Sequence, residues 1–339
     1  MNRNWTRAAA SGVGLLLGAV GITYWRWKQE RLADLAAGSE LVTTDRGVVE
    51  VARRGSGYPV LFLHGDPGGY DQGLMAGGSL FGDDVELIAP SRPGYLRTPL
   101  GDNGPLDDQA ATLVALLDEL EIERAVVVGL SGGGPIALQI AADYPDRVSG
   151  LVLLSAITTE IDERMFDIGN PIVDPLLTST PVLDVQSGIA VALRRFAPDT
   201  LIPMLHSELS TLEGEAFAAY VESIKADPQL RQRSLDLVPT VLPASARIDG
   251  TLNDERWFRE LPNVSYESIE CPTLVIHGKF DGAVPIHHAE SVVEAIPDAE
   301  FVRLEADHSI GASPDVDRAR EAIRTFTESV TASSEPTAL

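Results

Sequence analysis

Short apolar runs alternate with stretches of helical periodicity along most of this chain. Runs that are rich in β-branched residues and bounded by turn residues are typical of strands covered on both faces. Between them, apolar residues recur at helical spacing, most clearly over residues 107–120. This alternation predicts an α/β fold with a mostly parallel central sheet and helices on both faces. The predicted buried strands are residues 59–63, 85–89, 125–128, 151–154, 273–276 and 300–304.

Two segments depart from this alternation. Residues 41–52 alternate around Asp45-Arg-Gly47, which predicts an antiparallel hairpin at the sheet edge. Between residues 158 and 270 proline-rich helical pieces predict a helical cap inserted after the sixth strand. Within the cap, Ser210-Thr-Leu-Glu213 matches a capping box and predicts a helix through Lys225. The predicted domains are an N-terminal segment (1–36), a core (37–157 and 271–331), the cap (158–270) and a disordered tail (332–339).

The N-terminal segment contains 18 consecutive uncharged residues, 8–25. As a helix they would span roughly 27 Å, close to the ~30 Å hydrocarbon core of a bilayer. Trp5 precedes the run, and Tyr24, Trp25 and Trp27 lie at its other end, as aromatic residues do at membrane interfaces. We therefore expect a transmembrane helix that anchors the protein to a membrane. The alternatives are a cleaved signal peptide and a soluble helix, and the basic residues at both ends leave the orientation open.

The composition is strongly acidic. The chain has 50 acidic and 26 basic residues, a formal net charge of −24, and only three of the basic residues are lysines. This balance argues against nucleic-acid binding. An acidic, lysine-poor surface is typical of proteins from salt-loving organisms, although an arginine-biased codon usage is an alternative. The single cysteine, Cys271, excludes an internal disulfide.

One serine lies in a glycine-rich turn directly after a buried strand. Val126-Val-Val128 is followed by Gly129-Leu-Ser131-Gly-Gly133, and the residues from Pro135 onward have helical character. Glycines two residues before and after the serine permit close contact with neighbouring elements, so the serine can be held in a strained, exposed conformation. The pattern predicts a nucleophile elbow at Ser131, with an ordinary glycine-rich loop as the alternative.

Two later loops carry residue types that activate a serine. Asp281 lies beyond the strand at residues 273–276, and His308 follows the strand at residues 300–304. The order Ser, Asp, His is that of the α/β-hydrolase superfamily, which the chain resembles from about Leu41 to Val330. Within that superfamily it is most similar to capped serine hydrolases of the esterase and prolyl-aminopeptidase-like branch.

Two further motifs strengthen this resemblance. His64-Gly-Asp-Pro-Gly-Gly69 is similar to a His-Gly-x-Pro-Gly loop, and Ser91-Arg-Pro-Gly94 is similar to the Asp-x-Pro-Gly loop after the next strand. The resemblance implies that the backbone N–H groups of Asp66 and Gly132 form the oxyanion hole. Prolyl aminopeptidases have glycine in place of Asp66 and tend to have a bulky residue in place of Gly132.

The resemblance implies a Ser131, Asp281, His308 triad without a cofactor or metal. A serine nucleophile excludes the aspartate-dependent dehalogenases and epoxide hydrolases of the superfamily. We expect hydrolysis of an ester, amide or related acyl bond in a small-molecule substrate through an acyl-enzyme. The alternatives are a prolyl-type aminopeptidase, a carbon–carbon bond hydrolase, a perhydrolase with the same triad, or a catalytically silent binding protein. The sequence leaves the oligomeric state open.

Other titratable residues are weaker candidates for these roles. Asp307 adjoins His308, but neighbouring side chains on an extended loop point apart, which argues against it as the triad acid. Glu160 and Asp162 follow the strand at residues 151–154 and are a fallback position. His206 is interpreted as a histidine on a helix surface. The remaining histidines outside the motifs, His277, His287 and His288, lack metal-ligand spacing.

Overall fold

One eight-stranded sheet carries the loops of Ser131, Asp281 and His308. The computed structural model of the protein describes residues 21–82, 84–161, 173–261 and 264–334. The strands are β1 (Glu40–Thr44), β2 (Gly47–Gly55), β3 (Tyr58–Leu63), β4 (Val85–Pro90), β5 (Ala125–Leu130), β6 (Val148–Leu154), β7 (Thr273–Gly278) and β8 (Glu300–Leu304). Their spatial order is β1-β2-β4-β3-β5-β6-β7-β8. β1 and β2 form the predicted antiparallel hairpin, β2 runs antiparallel to β4, and the strands from β3 to β8 are parallel.

Helices connect the parallel strands and cover the sheet. Those of the core are α2 (Tyr70–Leu80), α3 (Leu106–Glu119), α4 (Gly134–Asp143), α11 (His287–Ala295) and α12 (Val316–Ser334). β6 is buried along its whole length, as expected for a central parallel strand whose faces are both covered. The predicted α/β architecture is therefore confirmed. α12 extends into the segment predicted to be a disordered tail, and residues 335–339 lie outside the described residues.

The described residues between β6 and β7 are mainly helical, which confirms the predicted insertion after the sixth strand. Its helices are α5 (Asp174–Leu177), α6 (Thr180–Phe196), α7 (Pro198–Leu209), α8 (Gly214–Ala226), α9 (Pro228–Thr240) and α10 (Ile248–Arg259). The predicted capping box is wrong. The N-cap of α8 is Glu213 without a side-chain hydrogen bond, because Ser210 lies upstream in a β-bridge with Asp281.

The chain divides into two units, residues 1–38 and 39–339. In the first unit, α1 is helical over residues 21–37. Within the described parts of the chain, we find no helix that combines the length and the apolar character needed to cross a bilayer. The predicted transmembrane helix falls mostly on residues 1–20, which lie outside the described residues. The membrane anchor therefore stays a prediction.

Candidate active site

Ser131 lies at the tight turn between β5 and α4. Its φ angle is +49°, a left-handed conformation that costs energy for a residue with a Cβ. The turn is closed by glycines: a Cβ on Gly129 would lie 2.8 Å from the Ala137 Cβ, and one on Gly133 would lie 2.5 Å from the Leu63 carbonyl oxygen. Only residues without a Cβ permit this packing, and Ser131 between them has the strained conformation that is typical of a nucleophile elbow.

Asp281 and His308 meet at the carboxyl ends of β7 and β8. The His308 Nδ1 atom lies 2.9 Å from Asp281 Oδ2 and 3.1 Å from Oδ1. The backbone N–H groups of Ala283 and Val284 donate to Asp281 Oδ1, at 3.0 and 2.7 Å. The Asp281 side chain is therefore fixed on the side of the loop that faces the imidazole.

The electrostatics of this pair follow from its burial. Burial alone would lower the pKa of His308, but the charge of Asp281 and their hydrogen bond raise it above its ordinary value. Burial would likewise raise the pKa of Asp281, but the His308 charge, their hydrogen bond and the nearby His277 lower it. Asp281 is therefore held as a carboxylate, which orients the His308 imidazole and stabilises its protonated form.

Ser131 and His308 line the same cavity, which has a volume of about 690 Å³. In the described residues no hydrogen bond joins the two side chains. Catalytic hydrogen bonds are often long before substrate binds, so a shared cavity is compatible with proton transfer between them. Asp281 thus contacts His308 directly, whereas the described side chains of Ser131 and His308 face the same cavity without a hydrogen bond between them.

The two residues assigned to the oxyanion hole are also neighbours. A Cβ on Gly132 would lie 3.3 Å from the Asp66 backbone nitrogen. Outside the helices and strands of the described residues, no backbone hydrogen bond uses the N–H of either residue. Asp66 lines the cavity together with Ser131. The backbones of Asp66 and Gly132 therefore lie next to each other beside Ser131, where an oxyanion hole would need its donors.

Next to the loop that carries Asp66 lies a buried polar network that the sequence did not predict. Arg92 pairs with Asp254 through both terminal guanidinium nitrogens, Nη1 and Nη2, at 3.0 and 2.5 Å. The Tyr95 hydroxyl lies 2.8 Å from Asp66 Oδ1 and 2.7 Å from Asp254 Oδ2, and the Thr251 hydroxyl donates to Asp66 at 2.5 Å. Burial, together with the charge of Asp254, raises the pKa of Asp66 to about 7. The side chain of Asp66 is therefore an acid that titrates near neutral pH, beside the backbone of Gly132.

The other titratable residues considered from the sequence differ in their burial and in their hydrogen-bond partners. The Asp307 carboxylate accepts from Ser309 N and lies 2.5 Å from His206 Nδ1, whereas His308 Nδ1 is occupied by Asp281. Among the described residues Glu160 makes no hydrogen bond to His308, and Asp162 lies outside the described residues. The interpretation of His206 as a surface histidine is wrong, because His206 is fully buried. No local sequence signal marks it, since its partners lie far away along the chain.

Most of the cavity wall is apolar and comes from both the core and the cap. Leu154 and Ile157 belong to the core, and the cap contributes apolar side chains of α7 and α9, namely Leu201, Met204, Leu205, Leu237 and Val238. The charged residues Glu208, Arg233 and Glu255 also reach the wall. The cap therefore shapes the space in front of the elbow.

Comparison with known proteins identifies the family of this chain. The model of the alpha/beta hydrolase fold family matches residues 58–312. The chain therefore belongs to the α/β-hydrolase fold family, and it is a hydrolase.

Individual relatives support the same assignment. The chain is 28% identical over 279 residues to the uncharacterized hydrolase YcgS of Bacillus subtilis (strain 168), covering 80% of this chain and 90% of the relative. It is 27% identical over 251 residues to a 2-hydroxymuconate semialdehyde hydrolase of Pseudomonas putida, covering 73% and 79%. A solved α/β-hydrolase fold protein from Nakamurella multipartita superimposes with a TM-score of 0.75 and 30% identity, covering 85% and 98% of the two chains.

Proposed function

We propose that this protein is a serine hydrolase that cleaves an ester, amide or related acyl bond through Ser131, His308 and Asp281. The observation that carries the proposal is a strained serine that faces the same cavity as a histidine already bonded to a buried carboxylate. A serine hydroxyl is a weak nucleophile until a base takes its proton, and this arrangement supplies the base and the group that orients it.

In the proposed reaction the Ser131 Oγ attacks the carbonyl carbon of the substrate while His308 Nε2 accepts the hydroxyl proton. The oxyanion that forms accepts hydrogen bonds from the N–H groups of Asp66 and Gly132. His308 returns the proton to the leaving group as the carbon–heteroatom bond breaks, which gives an acyl-enzyme. Water, activated by the same histidine, then attacks the acyl-enzyme, and the serine is regenerated.

The shape of the cavity supports a small-molecule substrate with a sizeable apolar part. A volume of about 690 Å³ lies within the usual range for small-molecule sites. Its apolar wall favours burial of hydrocarbon at roughly 25 cal/mol per Å² removed from water. We therefore expect esters with a medium-length acyl chain to have a lower KM than acetyl esters.

Carbon–carbon bond hydrolysis is the second candidate. It is favoured by the similarity to the 2-hydroxymuconate semialdehyde hydrolase of Pseudomonas putida over 79% of that relative. The same serine and histidine would serve such a reaction, with a carbon leaving group in place of oxygen or nitrogen. Comparison of turnover of 2-hydroxymuconate semialdehyde with turnover of simple esters separates the two candidates.

Replacement of the proposed triad residues tests the proposed function. We expect Ser131→Ala to abolish turnover of activated esters with folding intact, because alanine is smaller than serine at the elbow. Asp281→Asn is expected to lower kcat by roughly 10³ to 10⁴, because the imidazole then favours the wrong tautomer. Steady-state kinetics on p-nitrophenyl esters and circular dichroism provide the measurements.

Asp307→Asn is the matched control for the acid, since it makes the same chemical change one residue from His308. We expect it to lose no more than about tenfold in kcat, a change of ~1.4 kcal/mol. Near wild-type hydrolysis by the Ser131 variant would overturn the proposal. A larger loss from Asp307→Asn than from Asp281→Asn would reassign the acid.

A further inference from the structure

A second Ser-His-Asp constellation lies next to the proposed triad. His206 Nδ1 lies 2.5 Å from Asp307 Oδ2, and His206 Nε2 lies 3.0 Å from the Ser234 hydroxyl. The three residues come from α7, α9 and the loop after β8, so they connect the cap to the core. All three side chains are fully buried. In the tautomer with a proton on Nδ1, the imidazole donates to the carboxylate and accepts from the serine.

This constellation is not a second hydrolytic site. Ser234 has no exposed surface, and it does not line the cavity that Ser131 and His308 share. A nucleophile must reach its substrate, so Ser234 cannot act as one. A buried and fully hydrogen-bonded polar network instead specifies one arrangement of the elements that it joins, because breaking any bond leaves an unpaired polar group.

The core end of the network is the residue before His308. The Asp307 carboxylate also accepts from Ser309 N at 2.9 Å, so it spans the backbone on both sides of the histidine. The Asp307 N–H donates to the Tyr220 hydroxyl of α8 at 3.2 Å. Through Asp307, the loop that carries His308 is therefore bonded to the cap helices α7 and α8.

A backbone contact from the cap joins the same loop to the loop of Asp281. The Leu209 carbonyl, at the end of α7, accepts from His308 N at 3.1 Å and from Gly282 N at 3.0 Å. Ser210 forms the β-bridge with Asp281, and a Cβ on Gly282 would lie 2.8 Å from the Ser210 carbonyl carbon. His206 is on the last turn of the same helix, so its side chain and the Leu209 carbonyl fix one helix end against both loops.

We propose that His206 is a positioning residue: through Asp307 it fixes the His308 loop to the cap, so that the seating of α7 sets the geometry of the histidine toward Ser131. This inference rests on the proposed triad and adds to it a buried network without direct contact to substrate. A misplacement of about 1 Å in a catalytic group can cost up to 10²-fold in rate. The loss from a loosened loop should therefore fall more on kcat than on KM, because His206 itself does not line the cavity.

Three variants of the network separate its contacts. His206→Leu removes both hydrogen bonds at similar volume. His206→Asn places an amide N–H where Nδ1 was, so it keeps the bond to Asp307 and loses the one to Ser234. Tyr220→Phe deletes only the hydroxyl that accepts the Asp307 N–H. A matched control is Arg194→Met, which removes the contacts of Arg194 with Leu235 and Asp236 inside the cap and touches neither loop.

The measurements are kcat and KM per active site, with the active sites counted by stoichiometric reaction with a fluorophosphonate, and the melting temperature. We expect His206→Leu to lower kcat about tenfold with KM within about twofold of wild type, since positioning and not binding is lost. His206→Asn should recover most of that loss, and Tyr220→Phe should lose about threefold. Arg194→Met should lower the melting temperature and leave kcat per active site unchanged. If His206 had only a structural role, His206→Leu would give this same result.

The outcomes distinguish this inference from the proposed function. If kcat per active site in His206→Leu stays within about twofold of wild type, or falls no more than in Arg194→Met, the positioning role is overturned. If His206→Leu does not fold, an unchanged kcat in both His206→Asn and Tyr220→Phe overturns it instead. If Ser131→Ala keeps wild-type hydrolysis, the triad is wrong and this inference falls with it. An inactive Ser131→Ala beside an unaffected His206 series leaves the triad standing and removes His206 alone.

Discussion

At the scale of single residues, Asp66 shows how one backbone position can hold two roles. Its N–H is a proposed donor to the oxyanion, whereas its carboxyl group is buried beside Asp254 and accepts from Tyr95 and Thr251. A second negative charge next to Asp254 is costly in this buried place, which is why the pKa of Asp66 is raised to about 7. The carboxyl group is therefore protonated at mildly acidic pH and ionised at alkaline pH.

This raised pKa predicts a pH dependence of stability. The Asp66 carboxyl titrates near 3.8 in the unfolded chain and about 7 in the folded protein. Between these values the folded state holds a proton that the unfolded state has lost, so the stability falls as the pH rises from about 4 to about 7. The contribution amounts to at most about 4 kcal/mol. Asp66→Asn mimics the neutral acid, so its stability relative to wild type should rise over this window and stay level above it.

Urea unfolding at pH 5 and pH 8 measures this difference, because groups common to both proteins cancel. Asp118→Asn is the control: Asp118 pairs with Arg147 at an exposed position, and we expect a difference within ~0.5 kcal/mol of wild type at both pH values. An Asp66→Asn variant whose stability relative to wild type is the same at pH 5 and pH 8 would contradict the buried neutral acid.

At the scale of elements, the parallel strands were predictable because burial on both faces leaves a clear record in the sequence. All residues of Val126-Val-Val128 are apolar, which is typical of a strand without a solvent-exposed face, and β5 is buried from Ala125 to Gly129. The elbow was predictable for a related reason: Gly129 and Gly133 sit where a Cβ would clash, and few local structures need that spacing.

The cap contacts were not predictable from local sequence. Along α10 the buried residues include Thr251, Asn253 and Asp254, so the helix packs a polar face that has no hydrophobic periodicity to detect. Ser210 matched a capping motif, yet tertiary pairing with Asp281 determined its conformation. His206 depends on Asp307, about a hundred residues further along the chain. Long-range polar pairing has no short-range signature, and it is this pairing that attaches the cap to the site.

At the scale of the whole molecule, we propose that the uncharged run at residues 8–25 anchors the hydrolase to a membrane. The support is its length and its flanking aromatic residues. We expect the full chain to sediment with membranes and to need detergent for release, whereas a chain beginning at Leu41 should remain in the supernatant with its esterase activity. Ultracentrifugation with activity assays on both fractions measures this, and uncleaved full-length protein in the supernatant would refute the anchor.

The net charge of −24 supports a last proposal, that the folded protein is adapted to high salt. Repulsion among carboxylates opposes the compact state, and added salt weakens it as the Debye length falls to about 3 Å at 1 M. Exposed pairs such as Arg324 with Glu321 weaken as well, but such pairs contribute only about 0–1 kcal/mol each. The uncompensated repulsion should therefore dominate.

We expect the melting temperature to rise between low salt and 1 M KCl and then to level off. Screening saturates in this way, whereas exclusion of a kosmotropic salt from the protein surface keeps increasing with concentration. Thermal unfolding in KCl and in potassium sulfate at matched ionic strength separates the two effects. A melting temperature that is the same in low salt and in molar KCl would show that the acidic surface does not limit stability, and the arginine-rich composition would then reflect codon usage.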